Sequence, residues 1–234
     1  MAATSDRLIL ALDVSTATQA RQIVTSVGPS VGLFKVGKQL FTAEGPQLVR
    51  ELVAGGKKVF LDLKYHDIPT TVAGAVAEAA RLGVSMLTVH ASGGSKMLAA
   101  ATQAAAAFPS KPIVLGVTVL TSFGQEDLDE VGVDAKLEDQ VLRLAELAIQ
   151  AGCGGVVASA REARAIRNAL GADFAIVTPG VRLAGGSAGD QTRVVTPAQA
   201  ISAGATHVVI GRPITEAKDP AKTVQVILAE LSAA

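Results

Sequence analysis

An α/β fold closed into a single-domain (β/α)8 TIM barrel is what the sequence predicts, on three observations. Eight short runs dense in β-branched and aliphatic residues recur along the 234 residues, about 29 residues per unit, as in a barrel of roughly 250 residues. The runs are mostly continuous apolar rather than alternating, the pattern of parallel strands covered on both faces. No Pro/Ser-rich linker or charge block divides the chain, so residues 1–234 are assigned to one domain. An open doubly wound sheet would show the same alternation of strand and helix. The strand count of eight favours the barrel.

In chain order the expected strands are 8–14, 33–37, 58–64, 86–90, 113–119, 155–159, 174–178 and 207–211. Each is rich in Val, Ile, Leu or Phe, which suit a pleated, buried surface. Between them lie segments rich in Ala, Leu, Glu, Gln and Arg, which are good helix formers. The clearest are 70–82 after the third strand, 95–108 after the fourth, 137–151 after the fifth and 215–231 after the eighth. The longest connections, 121–136 and 179–197, follow strands five and seven. In a barrel both fall on the C-terminal face, where active sites are built.

Composition removes several classes of function. The counts of Lys+Arg and Asp+Glu are 21 each, so the uniform positive field of a nucleic-acid binder is missing. At 3% aromatic residues, a base-stacking platform is not expected either. No apolar run approaches the roughly 20 residues that span a bilayer, and Met1 to Asp6 lacks the blocks of a signal peptide. A soluble, cytoplasmic protein with no membrane partner is expected. The single Cys153 excludes an intrachain disulfide and a cysteine-only metal site, and its apolar setting reads as a buried structural thiol.

The third strand ends in Asp62-Leu63-Lys64-Tyr65-His66-Asp67-Ile68-Pro69. Period-two alternation puts Asp62 and Lys64 on one face and Leu61 and Leu63 on the other, with Tyr65 pointing away from Lys64. A barrel turns the charged face into its mouth. Charges there either compensate each other as a structural ion pair or serve a ligand. Asp13 at the end of strand one and Lys35 in strand two would stand beside them, with Asp67 just beyond in the loop. Opposite charges within about 4–6 Å favour each other's charged forms, and such an array offers a fixed field for charge developing on a substrate.

The opposite half of the mouth carries Thr178-Pro179-Gly180-Val181-Arg182, then the Gly-rich Ala184-Gly185-Gly186-Ser187-Ala188-Gly189-Asp190-Gln191, and Ile210-Gly211-Arg212-Pro213 after strand eight. Loops after strands seven and eight form the recurrent phosphate site of these barrels. Gly211 permits close backbone approach and Arg212 supplies a charged fork. His66, His90 and His207 do not form a metal cluster in the sequence; His90 is read as a hydrogen-bonding support rather than a catalyst.

With these motifs in order along nearly the whole chain, the sequence resembles the orotidine 5′-phosphate decarboxylase family in its bacterial form. The resemblance rests on Leu10-Ala11-Leu12-Asp13, Phe34-Lys35-Val36-Gly37, the Asp62 to Pro69 stretch, Thr178 to Arg182, Gly189-Asp190-Gln191 and Ile210-Gly211-Arg212. It implies decarboxylation of orotidylate to uridylate in pyrimidine nucleotide synthesis, without metal or organic cofactor. It further implies that Lys64 protonates C6 of the pyrimidine, that Asp62 lies against the substrate carboxylate, and that Lys35 and Asp67 complete the charged network. Asp67 and Thr71 would reach the neighbouring active site of a homodimer. Asp13 and Lys35 would hold the ribose, Thr121 the pyrimidine, and Arg182, Gln191, Gly211 and Arg212 the phosphate.

Four rivals stand beside this reading. The hexulose-phosphate synthase and ketogulonate-phosphate decarboxylase families resemble the chain in the Asp-x-Lys-x-x-Asp stretch but use magnesium and carry an acidic residue in place of Lys35, whose charge would repel the metal. A Schiff-base aldolase needs a lysine able to lose its proton, which carboxylates beside Lys64 oppose. A non-catalytic phosphosugar- or nucleotide-binding barrel needs the phosphate half of the mouth but not the buried charges facing it.

Overall fold

The computed structural model describes residues 4–183 and 195–233. Strand and helix alternate from the first turn onward: β1 (Leu8–Ala11), α1 (Ala17–Val27), β2 (Leu33–Gly37), α2 (Lys38–Ala54), β3 (Lys58–Tyr65), α3 (Pro69–Arg81), β4 (Met86–His90) and α4 (Gly94–Ala106). The chain continues with β5 (Ile113–Val117), α5 (Gln125–Glu130), α6 (Leu137–Gln150), β6 (Gly155–Val157), α7 (Ala160–Leu170), β7 (Ala175–Thr178), α8 (Pro197–Ser202), β8 (His207–Ile210), α9 (Arg212–Thr215) and α10 (Pro220–Ser232). The eight strands pair in sequence order and β8 closes on β1, every pair parallel. The (β/α)8 barrel is therefore observed, and the open sheet is not.

Several expected boundaries move. Strands one, five, six and eight end before the expected 14, 119, 159 and 211, because the chain leaves the ladder as it turns into the mouth, while β7 starts one residue late, at Ala175, and β3 runs one residue further, to Tyr65. The expected helix 215–231 begins five residues later, as α10, and only its first residue, Thr215, belongs to the short α9 that precedes it. Asp219 caps α10 by accepting from the Lys222 N–H, and Pro220 stands at its first position, where proline fits but a continuous helix would not. The connection 121–136 contains α5, and within 179–197 Val181 bridges Val195. Gln191 and the Gly-rich run from Gly185 to Gly189 lie outside the described residues.

Alternation along the strands separates two apolar clusters. Ile9, Leu33, Phe60, Met86, Leu115, Val157, Val177 and Val209 belong to the cluster that fills the barrel. Leu8, Leu10, Phe34, Val59, Leu61, Leu87, Val156 and Ile176 face the surrounding helices. Both faces of each strand are thus covered, which explains the continuous apolar runs. One step along from the filling residues, the same inward positions become polar: Lys35 above Leu33, Asp62 above Phe60 and Thr88 above Met86.

Candidate active site

A cavity of 640 Å³ opens at the C-terminal mouth, lined on one side by Asp13, Lys35, Asp62 and Lys64 and on the other by Arg182, Gly211 and Arg212. That volume falls within the roughly 300–1,000 Å³ of small-molecule sites. Its floor is apolar, made of Phe60, Val117, Val157, Val177 and Val209, and Thr121 lines it from the loop after β5.

The four charges on the β1–β3 side form one continuous chain of alternating sign. Lys35 Nζ donates to Asp13 Oδ1 at 2.8 Å and stands 3.7 Å from Asp62 Oδ2. Lys64 Nζ donates to Asp62 Oδ1 at 2.8 Å. Lys35 is 9% exposed, so its charge is compensated by two carboxylates rather than by water. Gly37 leaves room for this approach: a Cβ there would lie 3.1 Å from Lys35 Nζ and 3.4 Å from Asp13 Oδ1. Burial, the largest influence on Asp62, pushes its carboxyl upward. The Lys64 and Lys35 charges and the hydrogen bonds from Lys64 and Thr88 outweigh it, holding the group below the usual carboxylate range.

Asp62 and Lys64 do share a face, while Leu63 and Tyr65 pack on the outer cluster, yet the strand between them is not regular. Leu61 pairs with Leu87 and Tyr65 with Val89, so β3 advances four residues while β4 advances two. This bulge turns Lys64 into the left-handed region at φ 51°, which costs a non-glycine residue about 1–2 kcal/mol. Its backbone N–H donates to Thr88 Oγ1 at 2.8 Å, and Thr88 Oγ1 donates to Asp62 Oδ1 at 3.0 Å. Thr88 is absent from the sequence expectations. The signal was a polar side chain on the inward face of an otherwise apolar strand.

On the opposite side, Arg182 is 8% exposed and its Nη1 donates to the Val181 carbonyl at 3.0 Å. Its backbone N–H donates to the Val195 carbonyl, so the segment carrying the arginine is pinned on both sides. Gly211 caps the short α9; a Cβ on it would meet Ala11 Cβ at 3.3 Å and Asp13 Oδ2 at 3.4 Å. Arg212 is exposed at the cavity rim, and Ser122 and Glu216, not anticipated from sequence, also line the cavity.

Two expected site residues stay outside the cavity of their own chain. Asp67 is exposed and its Oδ1 accepts from the Ile68 N–H. Thr71 is exposed in the first turn of α3. Among the described residues no hydrogen bond reaches the His90 ring. Its ring centroid lies 5.3 Å from that of His66. Burial first, then the His66, Lys38 and Lys64 charges, push His90 down to about 4. Cys153 is a buried free thiol that burial pushes up to about 12, as expected of a structural cysteine.

The barrel and its mouth define a class: a TIM-barrel enzyme site that pairs a buried carboxylate–ammonium array with arginines on the β7–β8 side. A family model described as orotidine 5′-phosphate decarboxylase / HUMPS family matches residues 6–227. The chain belongs to this family. It is 52% identical over 232 residues to the orotidine 5′-phosphate decarboxylase of Moorella thermoacetica, covering 97% of this chain and 92% of the relative. It is 54% identical over 226 residues to that of Laribacter hongkongensis, covering 97% and 93%. The crystal structure of orotidine 5′-phosphate decarboxylase from Lactobacillus acidophilus superposes with a TM-score of 0.87 at 37% identity, covering 97% of this chain and 99% of that one.

Proposed function

We propose that the protein decarboxylates orotidine 5′-monophosphate to uridine 5′-monophosphate in pyrimidine biosynthesis, without metal or organic cofactor. The single observation that carries this reading is the Asp13–Lys35–Asp62–Lys64 chain of charges facing Arg182 and Arg212 across one cavity. A phosphorylated substrate is held at the arginine end, by Arg182, Gly211, Arg212 and Gln191. Asp13 and Lys35 take the ribose hydroxyls, and Thr121 meets the pyrimidine.

At the other end the substrate carboxylate lies against Asp62. The C6–carboxylate bond breaks, carbon dioxide leaves, and the electron pair stays on C6. Lys64 Nζ delivers the proton that forms the new C6–H bond, and the lysine regains a proton from solvent. With no cofactor to accept the electron pair, a fixed cation has to stabilise it. Two unit charges 4 Å apart interact by about 4 kcal/mol at an effective dielectric of 20, short of the roughly 8–23 kcal/mol that enzymes supply. The remainder comes from binding the remote phosphate and ribose, which holds the reacting carboxylate in the field of Asp62. Asp67 and Thr71, exposed on their own chain, complete the site of a neighbouring subunit in a homodimer, and a cytoplasmic location fits the lack of a membrane-crossing helix among the described residues.

The magnesium-dependent alternative is disfavoured by Lys35, whose ammonium already sits 2.8 Å from Asp13 and 3.7 Å from Asp62. A divalent ion at those carboxylates would have to displace it. Adding purified protein to orotidylate and following loss of its absorbance, with and without EDTA, tests both points. Turnover unaffected by EDTA is expected. No turnover, or turnover abolished by EDTA, rejects the reading.

A further inference from the structure

We propose that Thr88 is the positioning residue that sets where the Lys64 ammonium stands, acting through its single hydroxyl. The inference rests on the decarboxylation reading for its catalytic consequence, but its geometry stands independently. Thr88 is fully buried and projects inward from β4, above Met86. A backbone N–H can only donate, so the 2.8 Å contact from Lys64 N uses a lone pair of the hydroxyl. The hydroxyl proton is then committed to Asp62 Oδ1 at 3.0 Å. The same Asp62 oxygen receives Lys64 Nζ at 2.8 Å.

These three contacts close a ring: Lys64 backbone to Thr88, Thr88 to Asp62, Asp62 to the Lys64 ammonium. The lysine is tethered at both ends by groups that are themselves tethered to each other. The ring spans the place where the β3–β4 register slips and where Lys64 holds φ 51°. The N–H that the bulge removes from the sheet ladder would otherwise be left without a partner in a half-buried setting, which is costly. Thr88 satisfies it and so holds the bulged backbone, and with it the point from which the Lys64 side chain reaches Asp62. Misplacing a catalytic group by about 1 Å costs on the order of 10²-fold in rate, so the hydroxyl matters to kcat without touching substrate.

The test compares the wild-type chain with Thr88→Val, Thr88→Ala and Thr88→Ser, each first shown to be folded by thermal melting. Removing the hydroxyl is expected to lower kcat for orotidylate by about 10²-fold with KM changed less than about threefold, and serine to restore kcat to within about threefold. In lysine-labelled protein the Lys64 amide is expected to exchange with solvent about tenfold faster in the hydroxyl-free variants and at the wild-type rate in the serine variant. A folded hydroxyl-free variant with wild-type kcat, or a serine variant as impaired as valine, overturns the proposal. So does a failure of both hydroxyl-free variants to fold while serine folds, which would make Thr88 a residue of the fold alone. Should the wild-type chain leave orotidylate unchanged, the functional reading falls, and the Lys64 amide exchange alone then decides whether Thr88 anchors the lysine.

Discussion

Asp62 in β3 lines the cavity and His90 ends the neighbouring β4, and folding holds both in protonation states that acid must overturn. His90 is pushed from 6.5 to about 4, by burial first and then by neighbouring positive charge. Between those values the unfolded chain takes up the proton and the folded chain does not, so this contribution to stability is complete above pH 6.5 and is lost as pH falls toward 4. Asp62 is held below the ordinary carboxylate value of 3.8, so its contribution is lost only at lower pH. His90→Gln is therefore expected to flatten the fall in Tm between pH 6.5 and about 4, while leaving the steeper loss at lower pH in place. Melting curves of both proteins across that range check this, and parallel curves would contradict it. The charges at Asp13, Lys35, Asp62 and Lys64 were legible in the sequence because a charge closing an apolar strand has few reasons to be there. Thr88 carried only a weak signal, a polar side chain on an inward strand face, because threonine is an ordinary strand residue, and nothing in a lysine announces a positive φ.

Strand order and closure were legible because each strand carries its own two-sided apolar signature, but the places where elements bend were read less well. The split between α9 and α10 had a signal, Asp219 followed by Pro220, that the run of helix formers masked. The bulge in β3 had none, since it arises from the fit of β3 to β4 rather than from either strand alone. A further constraint is visible only in the packed barrel. Gly155 starts β6, and a Cβ there would lie 2.4 Å from the Ala175 carbonyl oxygen and 2.9 Å from Leu115. Because backbone of β7 is the nearest obstacle, the two strands would have to part. Gly155→Val is expected to destabilise the protein by about 1–3 kcal/mol, the usual cost of overpacking. The change should appear as a lower denaturant midpoint, with little change in KM, because the altered contact lies below the charged layer. An unchanged midpoint would show that β6 and β7 yield freely there.

Closing the barrel gathers residues from β1, β2, β3, β5, β6, β7 and β8 around one cavity, yet leaves Asp67 and Thr71 outside it, beside Ile68 at 65% exposure. An exposed isoleucine between a carboxylate and a threonine is an uneconomical surface for an isolated chain but a sensible one for a contact between copies. The homodimer reading makes a sharp quantitative claim, because each site would draw Lys64 from one subunit and Asp67 from the other. Lys64→Ala and Asp67→Ala homodimers should each be inactive, since both of their sites lack one group. Subunit exchange between equal amounts produces hybrids as half of all dimers, and in each hybrid one site carries both defects and the other neither. Activity should therefore recover to about a quarter of the wild-type value in a two-fold symmetric dimer. Native mass spectrometry can establish that exchange has occurred, and an orotidylate assay on the same sample reads the recovery. Exchanged hybrids that remain inactive would place Asp67 outside the partner's site, and the role of the exposed β3–α3 loop would have to be sought within its own chain.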